Sequence, residues 1–268
     1  MAFIRPLKPF RYSPPVGIER DYAVKLRRIV GDLGIIIKEE VINRLPDMLL
    51  SFKLESFRVD TVTEDLTEMF GLAWRRSLRS MRLNAAEAAR FAYTKTNDWN
   101  RKKTGAMLRD KYGIDFFSTD PWLAAELDIF VTGNVNLVVS TNQKFLNETM
   151  ETVFAGVKNG LRHEVIASEV YSMNKTALAR NTPFRGAKYR ASLIARDQVN
   201  KANGDMSRLR QTGAGIKKYV WRTVGDIRVR PLHSSYNGKQ YTWKKGTPQG
   251  LHPGRDIQCR CYAEPVIT

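Results

Sequence analysis

Disulfides cannot hold this chain together, because its only cysteines, Cys259 and Cys261, lie one residue apart and would close no useful loop. A reducing compartment would keep them as thiols. Long apolar runs are also missing: Leu33 to Ile37, broken by Gly34, falls far short of the roughly 20 residues that span a bilayer, so no transmembrane helix and no membrane partner are expected. Residues 1–15 mix Arg5, Lys8 and Arg11 with four prolines and lack the apolar stretch and small-residue cleavage site of a secretory signal. They read as a tethering arm on a protein made in the cytoplasm. The Gly-x-x-x-x-Gly-Lys pattern of a P-loop is absent, which argues against a packaging ATPase, and no helix-turn-helix or RNA-binding signature supports sequence-specific readout.

Acidic residues are scarce too. The 268 residues carry 44 lysines and arginines against 27 acids, a net charge of +17 typical of chains that meet a polyanion. The excess is local: residues 172–268 hold 19 basic and five acidic residues, which is +14 of the total. Arg208, Arg210, Lys217, Lys218, Arg222, Lys239, Lys244, Lys245 and Arg255 interleave there with Tyr219, Trp221, Tyr236, Tyr241 and Trp243. Phosphates could be neutralised and bases stacked on such a surface without sequence preference, so these nine residues are the candidate contacts to double-stranded DNA. An ordinary solvated face over core aromatics is the alternative.

The apolar pattern predicts a mainly α fold: long helices in an N-terminal body, then a small α+β C-terminal unit with a β-hairpin. Tyr22, Leu26, Ile29, Val30, Leu33, Ile36, Ile37, Val41 and Leu45 recur at helical spacing from Asp21 to Leu45, with Pro46 as the stop. A second helix is predicted from Thr63 through Met81 and a third from Asn84, while the basic stretch 94–113 could be helix or mobile arm. Further helices are predicted from near Asn134 to Gly160, over His163–Tyr171 and over Lys188–Gln211, around a loop at Asn181–Gly186. From Ile216 the texture turns to strand: Tyr219 and Trp221 alternate, Asp226–His233 reads as a loop, Asn237-Gly238 as a hairpin turn, and Gln240–Trp243 as the returning strand. The expected division is an extended arm over 1–20, a helical domain over 21–127, and a C-terminal domain over 128–268 with helices in 134–211 and the α+β end in 216–268.

His233, His252, Cys259 and Cys261 are two imidazoles and two thiols, the donor types of a tetrahedral zinc site. No cofactor is required by the sequence, and zinc is the one that these residues could hold. The competing reading is a buried cysteine on the C-terminal strand, with His233 and Asp226 pinning the hairpin by hydrogen bonds. Arg196 and Asp197 share a helical turn, and facing Asp226 and Arg228 they would form structural ion pairs holding helix to sheet. Arg, Asp and His also serve phosphodiester hydrolysis, but Asp197, Asp205, Asp226, Asp256 and Glu264 are too widely spaced in sequence to suggest a carboxylate metal cluster. No catalytic residue is assigned, and the protein is expected not to be an enzyme.

Several short motifs occur in a fixed order: Ala195-Arg196-Asp197-Gln198-Val199-Asn200-Lys201-Ala202-Asn203, Trp221-Arg222-Thr223, Asp226 to His233, Asn237-Gly238, His252-Pro253 and Cys259-Arg260-Cys261. As a set they resemble the Mu F-like minor head protein family of tailed bacteriophages, also termed head morphogenesis proteins. Upstream, Thr132 to Val138 and the helix behind it look like the family's lead-in, so the resemblance covers about Ile129 to Thr268. Many members look to have Cys-x-x-Cys where this chain has Arg230-Pro231-Leu232-His233, a departure that bears on metal binding. The resemblance implies a structural virion protein, made in the host cytoplasm and placed in the capsid interior. Its implied partners are the portal protein and the capsid lining, and its implied role is head assembly or delivery of the viral DNA. The arm, Ile4 to Val16, would then hold protein neighbours while the basic unit faces packaged DNA. The alternative is a nuclease delivered with the genome, or a zinc-dependent nucleic-acid-binding protein acting in the host. Some relatives look to carry toxin-like domains behind the head module; with the sequence ending at Thr268, none is expected here.

Overall fold

The computed structural model describes residues 12–54, 59–115, 119–172 and 185–267. The elements in chain order are α1 (Val16–Glu40), a 3-10 turn (Ile42–Arg44), α2 (Leu45–Leu54), α3 (Val59–Tyr112), α4 (Leu123–Lys158), α5 (His163–Ser172), α6 (Arg185–Gly213), β1 (Lys218–Arg222), α7 (Pro231–Tyr236), β2 (Gln240–Thr242) and β3 (Tyr262–Val266). The fold is mainly α, with a small antiparallel sheet of order β2-β1-β3 near the C-terminus.

Helical periodicity places the buried stripes where expected, but several boundaries move. α1 begins at Val16, so the last five residues assigned to an extended arm are helical; residues 1–11 lie outside the described residues. Pro46 starts a helix rather than ending one, because it sits in the first turn of α2, where its missing N–H has no partner to lose. The three segments read between Thr63 and Gly113 are one helix, α3, of 54 residues. Its polar second half stays helical because Thr96, Asn97, Asn100 and Thr104 are buried and bonded, Thr96 Oγ1 donating to the Ala92 carbonyl at 2.7 Å. The next helix begins at Leu123, eleven residues before the predicted start. It ends at Lys158, and Gly160 follows with the positive φ of 67° that breaks a helix. The loop predicted at Asn181–Gly186 falls mostly outside the described residues, and α6 covers its last two positions.

By length and composition α4 is apolar enough to cross a bilayer. No single run announces it, because Asn134, Asn136 and Asn142 interrupt its valines. Its buried stripe mixes Val131, Val138, Phe145 and Val153 with Asn134, Asn142 and Thr149, the side chains of Asn142 and Thr149 bonding carbonyls one turn back.

The chain divides into two compact units that do not follow the linear boundaries read from the sequence. One comprises residues 23–89 and 131–193, and its elements among the described residues are all helices. There Gly156 of α4 lies so close to α5 that an added Cβ would stand 2.6 Å from Ile166 Cγ1, and Arg190 of α6 pairs with Glu148 of α4 at 2.9 Å. The other comprises residues 1–22, 90–130 and 194–268 and holds the sheet. In it Tyr93, Ala202 and Met206 pack with Trp122, Leu127 and Phe130. A second core of Tyr219, Trp221, Tyr236, Trp243, Cys259, Cys261 and Ala263 fills the inner face of the sheet.

β1 pairs with β2 through Tyr219↔Tyr241 and with β3 through Trp221↔Ala263, so alternate residues of β1 point into this core. The strands predicted around Tyr219–Trp221 and Gln240–Trp243 are present and antiparallel. They are not joined by a two-residue turn, however. α7 lies between them, and Asn237-Gly238 follows it: Asn237 Oδ1 accepts the Thr223 N–H at 3.0 Å, and Gly238 (φ 80°) donates to the Trp221 carbonyl at 2.8 Å. An Asn-Gly pair supplies left-handed backbone equally well at a helix end and in a tight turn.

Candidate functional site

At one end of the inner face of β1, Trp221 packs edge-on against His233, with ring centroids 5.3 Å apart, and against Tyr236 at 5.2 Å. Pro231 fixes the first turn of α7 and places His233, two residues on, facing the core. Cys259 and Cys261 reach the same point from the segment before β3. His233 Nδ1 lies 3.5 Å from Cys259 Sγ and 3.7 Å from Cys261 Sγ, and all three residues are buried. The other ring nitrogen, Nε2, is 3.2 Å from Asp256 Oδ2, a charge contact rather than an aligned hydrogen bond.

The loop carrying the cysteines is held from several sides. Asp197 Oδ1 of α6 accepts the N–H of Gln258 at 2.7 Å, fixing a residue with φ of 53°. The Cys259 N–H donates to the Asp256 carbonyl at 3.0 Å. The Cys261 hydrogen bond lowers the Cys259 thiol, against burial and with help from His233, while Cys259 and burial push Cys261 up. Cys259 also raises the His233 imidazole above its ordinary value, outweighing burial.

His252 does not join this cluster. Its Nδ1 lies 3.0 Å from the Tyr219 hydroxyl and its ring lies 5.4 Å from that of Trp243, at the other end of β1. Backbone packing takes it there: a Cβ on Gly204 of α6 would stand 2.7 Å from the Pro253 carbonyl, so the 252–254 loop is docked on α6. Burial, then Arg208 and Arg255, lower its imidazole.

Beside the His–Cys cluster is a cavity of about 140 Å³ lined by Arg196, Arg228, Arg230, Arg260, Gln258 and the three cluster residues among others. The ion pairs expected among Arg196, Asp197, Asp226 and Arg228 are not formed. Arg196 instead lies 3.7 Å from the buried Glu19 of α1, and Asp197 pairs with Lys201 at 2.8 Å, one turn along α6. Asp226 pairs with Arg260 at 2.5 Å and accepts the Arg228 N–H, so these contacts shape the loop rather than join helix to sheet. Burial raises the Glu19 carboxyl, and Asn200 and the nearby arginines only partly offset it. Nothing in the sequence singled out Glu19 or Asp256.

The nine candidate DNA contacts separate into two groups. Arg210 is buried: it pairs with Asp120 at 2.7 Å with both side chains almost wholly covered, and it bonds Asn97 and Asn100. It therefore cannot present its charge to DNA, a correction no sequence pattern foreshadowed. Arg222 is held by Glu264, Arg255 by Asp205 at 2.6 Å, and Arg208 is half-buried. Lys217, Lys218, Lys239, Lys244 and Lys245 are exposed. Four of them gather where β1 begins and β2 ends, since the Trp243 N–H donates to the Lys217 carbonyl at 3.0 Å and Lys218 stands opposite Thr242. Lys239 lies at the far end of the same ladder. The five acids of this region are each bound to a neighbouring cation, and the one metal-type cluster among the described residues is His233, Cys259 and Cys261.

Comparison with known proteins fits the resemblance seen in the motifs. Residues 147–264 match the family described as phage Mu protein F like protein. An uncharacterized protein of Haemophilus influenzae is 27% identical over 193 residues, which cover 70% of this chain and 41% of that protein. The chain thus spans about two fifths of that relative's length. No solved structure matches.

Proposed function

We propose, from the premise that residues 147–264 are Mu F-like, that this protein is a minor head component of a tailed bacteriophage. That family match, which points to phage head morphogenesis, is the observation carrying the reading. In it the protein is structural rather than enzymatic and sits in the capsid interior near the portal, acting in head assembly or delivery of the genome. The basic C-terminal region contacts packaged DNA without sequence preference. The exposed lysines at the β1–β2 edge support that contact, because they are compact charges open to phosphates while the neighbouring arginines are committed to carboxylates.

The test is quantitative mass spectrometry of purified, nuclease-treated particles of the phage that encodes this chain, with the portal protein as the internal copy standard. Copies at or below about the portal's number are expected for a minor component. Absence from mature particles would overturn the virion placement and leave an assembly factor or a host-directed protein.

A further inference from the structure

We propose that His233, Cys259 and Cys261 bind one zinc ion, through Nδ1 and the two Sγ atoms, with the fourth coordination position open to solvent in the arginine-lined cavity. The inference concerns the chemistry of this cluster alone and does not rest on the head-protein reading.

The distances fit. Zinc bonds of about 2.3 Å to sulfur and 2.0–2.1 Å to nitrogen, set at the tetrahedral angle, give a sulfur–nitrogen edge of about 3.6 Å. The two edges here are 3.5 and 3.7 Å. Thiol hydrogen bonds span similar lengths: Cys261 and His233 both bond Cys259, and the His233 nitrogen then has nothing left for Cys261, 3.7 Å away. Both sulfurs converge on one ring nitrogen, which has either one lone pair or one hydrogen and so serves one partner well. A cation bound by all three atoms engages both sulfurs and the nitrogen at once. Asp256 Oδ2, 3.2 Å from Nε2 though not aligned as a hydrogen bond, stands where a carboxylate usually orients a ligating imidazole through its other nitrogen. The backbone is set in advance by the Asp197–Gln258 and Cys259–Asp256 hydrogen bonds.

Charge and access also fit. Two thiols that lose their protons on binding carry two negative charges, which the divalent ion cancels, so the buried site gains no net charge. The cavity that touches all three ligands supplies the entry path and room for a water in the fourth position. Its four arginines favour an electron-rich ligand there. His252, the fourth residue that sequence composition would enrol, is committed to Tyr219 and Trp243 and is not a ligand.

The experiment uses the full chain, purified under reducing conditions from zinc-supplemented cells, with any affinity tag removed. Elemental analysis is expected to give about one zinc per chain. Cobalt(II) titrated into the metal-stripped protein is expected to produce sulfur-to-cobalt charge transfer and the intense visible bands of a tetrahedral ion. Cys259→Ser, Cys261→Ser and His233→Ala should lose the metal, and His252→Ala should keep it. Asp256→Asn should weaken zinc affinity by about tenfold, as loss of an orienting carboxylate does. Where a ligand variant fails to fold, the cobalt spectrum of the unaltered protein decides. Protein without zinc and without a thiolate–cobalt spectrum overturns the proposal, and so does loss of metal in His252→Ala with retention in Cys259→Ser. Neither result would affect the particle composition that tests the head-protein reading.

Discussion

Replacing Arg210 with Met separates a structural role from a DNA-binding one, because the structure gives this residue only the first. Its guanidinium bonds Asn97, Asn100 and Asp120 and lies 5.3 Å from the centre of the Trp122 ring, and the residue is 1% exposed. Removing one member of a buried pair costs about 3–5 kcal/mol, because the remaining charge keeps its desolvation cost without its partner. Two features move the value to the low end of that range. Asp120 retains Arg101 at 2.6 Å, and Arg210 Nε has no hydrogen-bond partner, so the native arrangement already carries a cost of about 1–3 kcal/mol. A loss of about 3 kcal/mol is therefore expected, a melting shift of roughly 6–12 °C in a domain of this size. Thermal and urea unfolding, each followed by circular dichroism and by tryptophan fluorescence, measure it in the unit that contains residues 194–268. Asp120→Asn in the Arg210→Met background should cost much less than Asp120→Asn alone. At a temperature where the variant is folded, its affinity for random-sequence DNA should equal that of the unaltered protein. Stability within about 0.5 kcal/mol of the original, together with a large loss of DNA affinity, would refute this placement of Arg210.

The lysine edge makes the opposite prediction. Lys244→Glu with Lys245→Glu should leave the melting temperature nearly unchanged while weakening binding to random double-stranded DNA and making the salt dependence shallower by about 2 in the log–log slope, near 0.9 per lost phosphate contact; an unchanged slope would put the contact elsewhere. Gly204→Ala tests the docking of the 252–254 loop, since the new Cβ meets the Pro253 carbonyl and the backbone of Gly254, at 2.7 and 3.2 Å. A loss of about 1–3 kcal/mol is expected in denaturant melts, and undiminished stability would mean that the loop is not held there.

Periodicity made the helices legible, since Tyr22, Leu26, Ile29, Leu33 and Ile37 are buried as their spacing required. It failed where polar residues do core work. Asn97 and Asn100 lie in a stretch that pattern alone left open between helix and mobile arm, yet Asn100 Nδ2 donates to Asn203 Oδ1 at 2.8 Å and both asparagines bind Arg210, so α3 runs on through them. Asn237-Gly238 announced a change of direction but not which element it would end. The cluster was legible in three of its four residues. The fourth, His252, was misplaced because composition records donor types, whereas its position depends on backbone packing of Gly204 against the Pro253–Gly254 loop.

The same distinction governs the charge. A count of basic residues treats every cation in the C-terminal third as available to a polyanion, but the fold commits several of them to carboxylates. Arg222, Arg230, Arg255 and Arg260 pair with Glu264, Asp256, Asp205 and Asp226, and Arg210 is enclosed with Asp120. Planar guanidinium groups make several directed hydrogen bonds and are weakly hydrated, which suits them to carboxylate pairs both enclosed, as at Arg210, and exposed, as at Arg230 and Arg255. Ammonium groups hold water strongly and remain outside, as Lys217, Lys218, Lys239, Lys244 and Lys245 do. The arginines thus set the shape of the loops around the His–Cys cluster, and the lysines set the field that DNA meets. It follows that charge-reversing lysines should change DNA affinity at little cost in stability, whereas neutralising the enclosed Arg210 should change stability first.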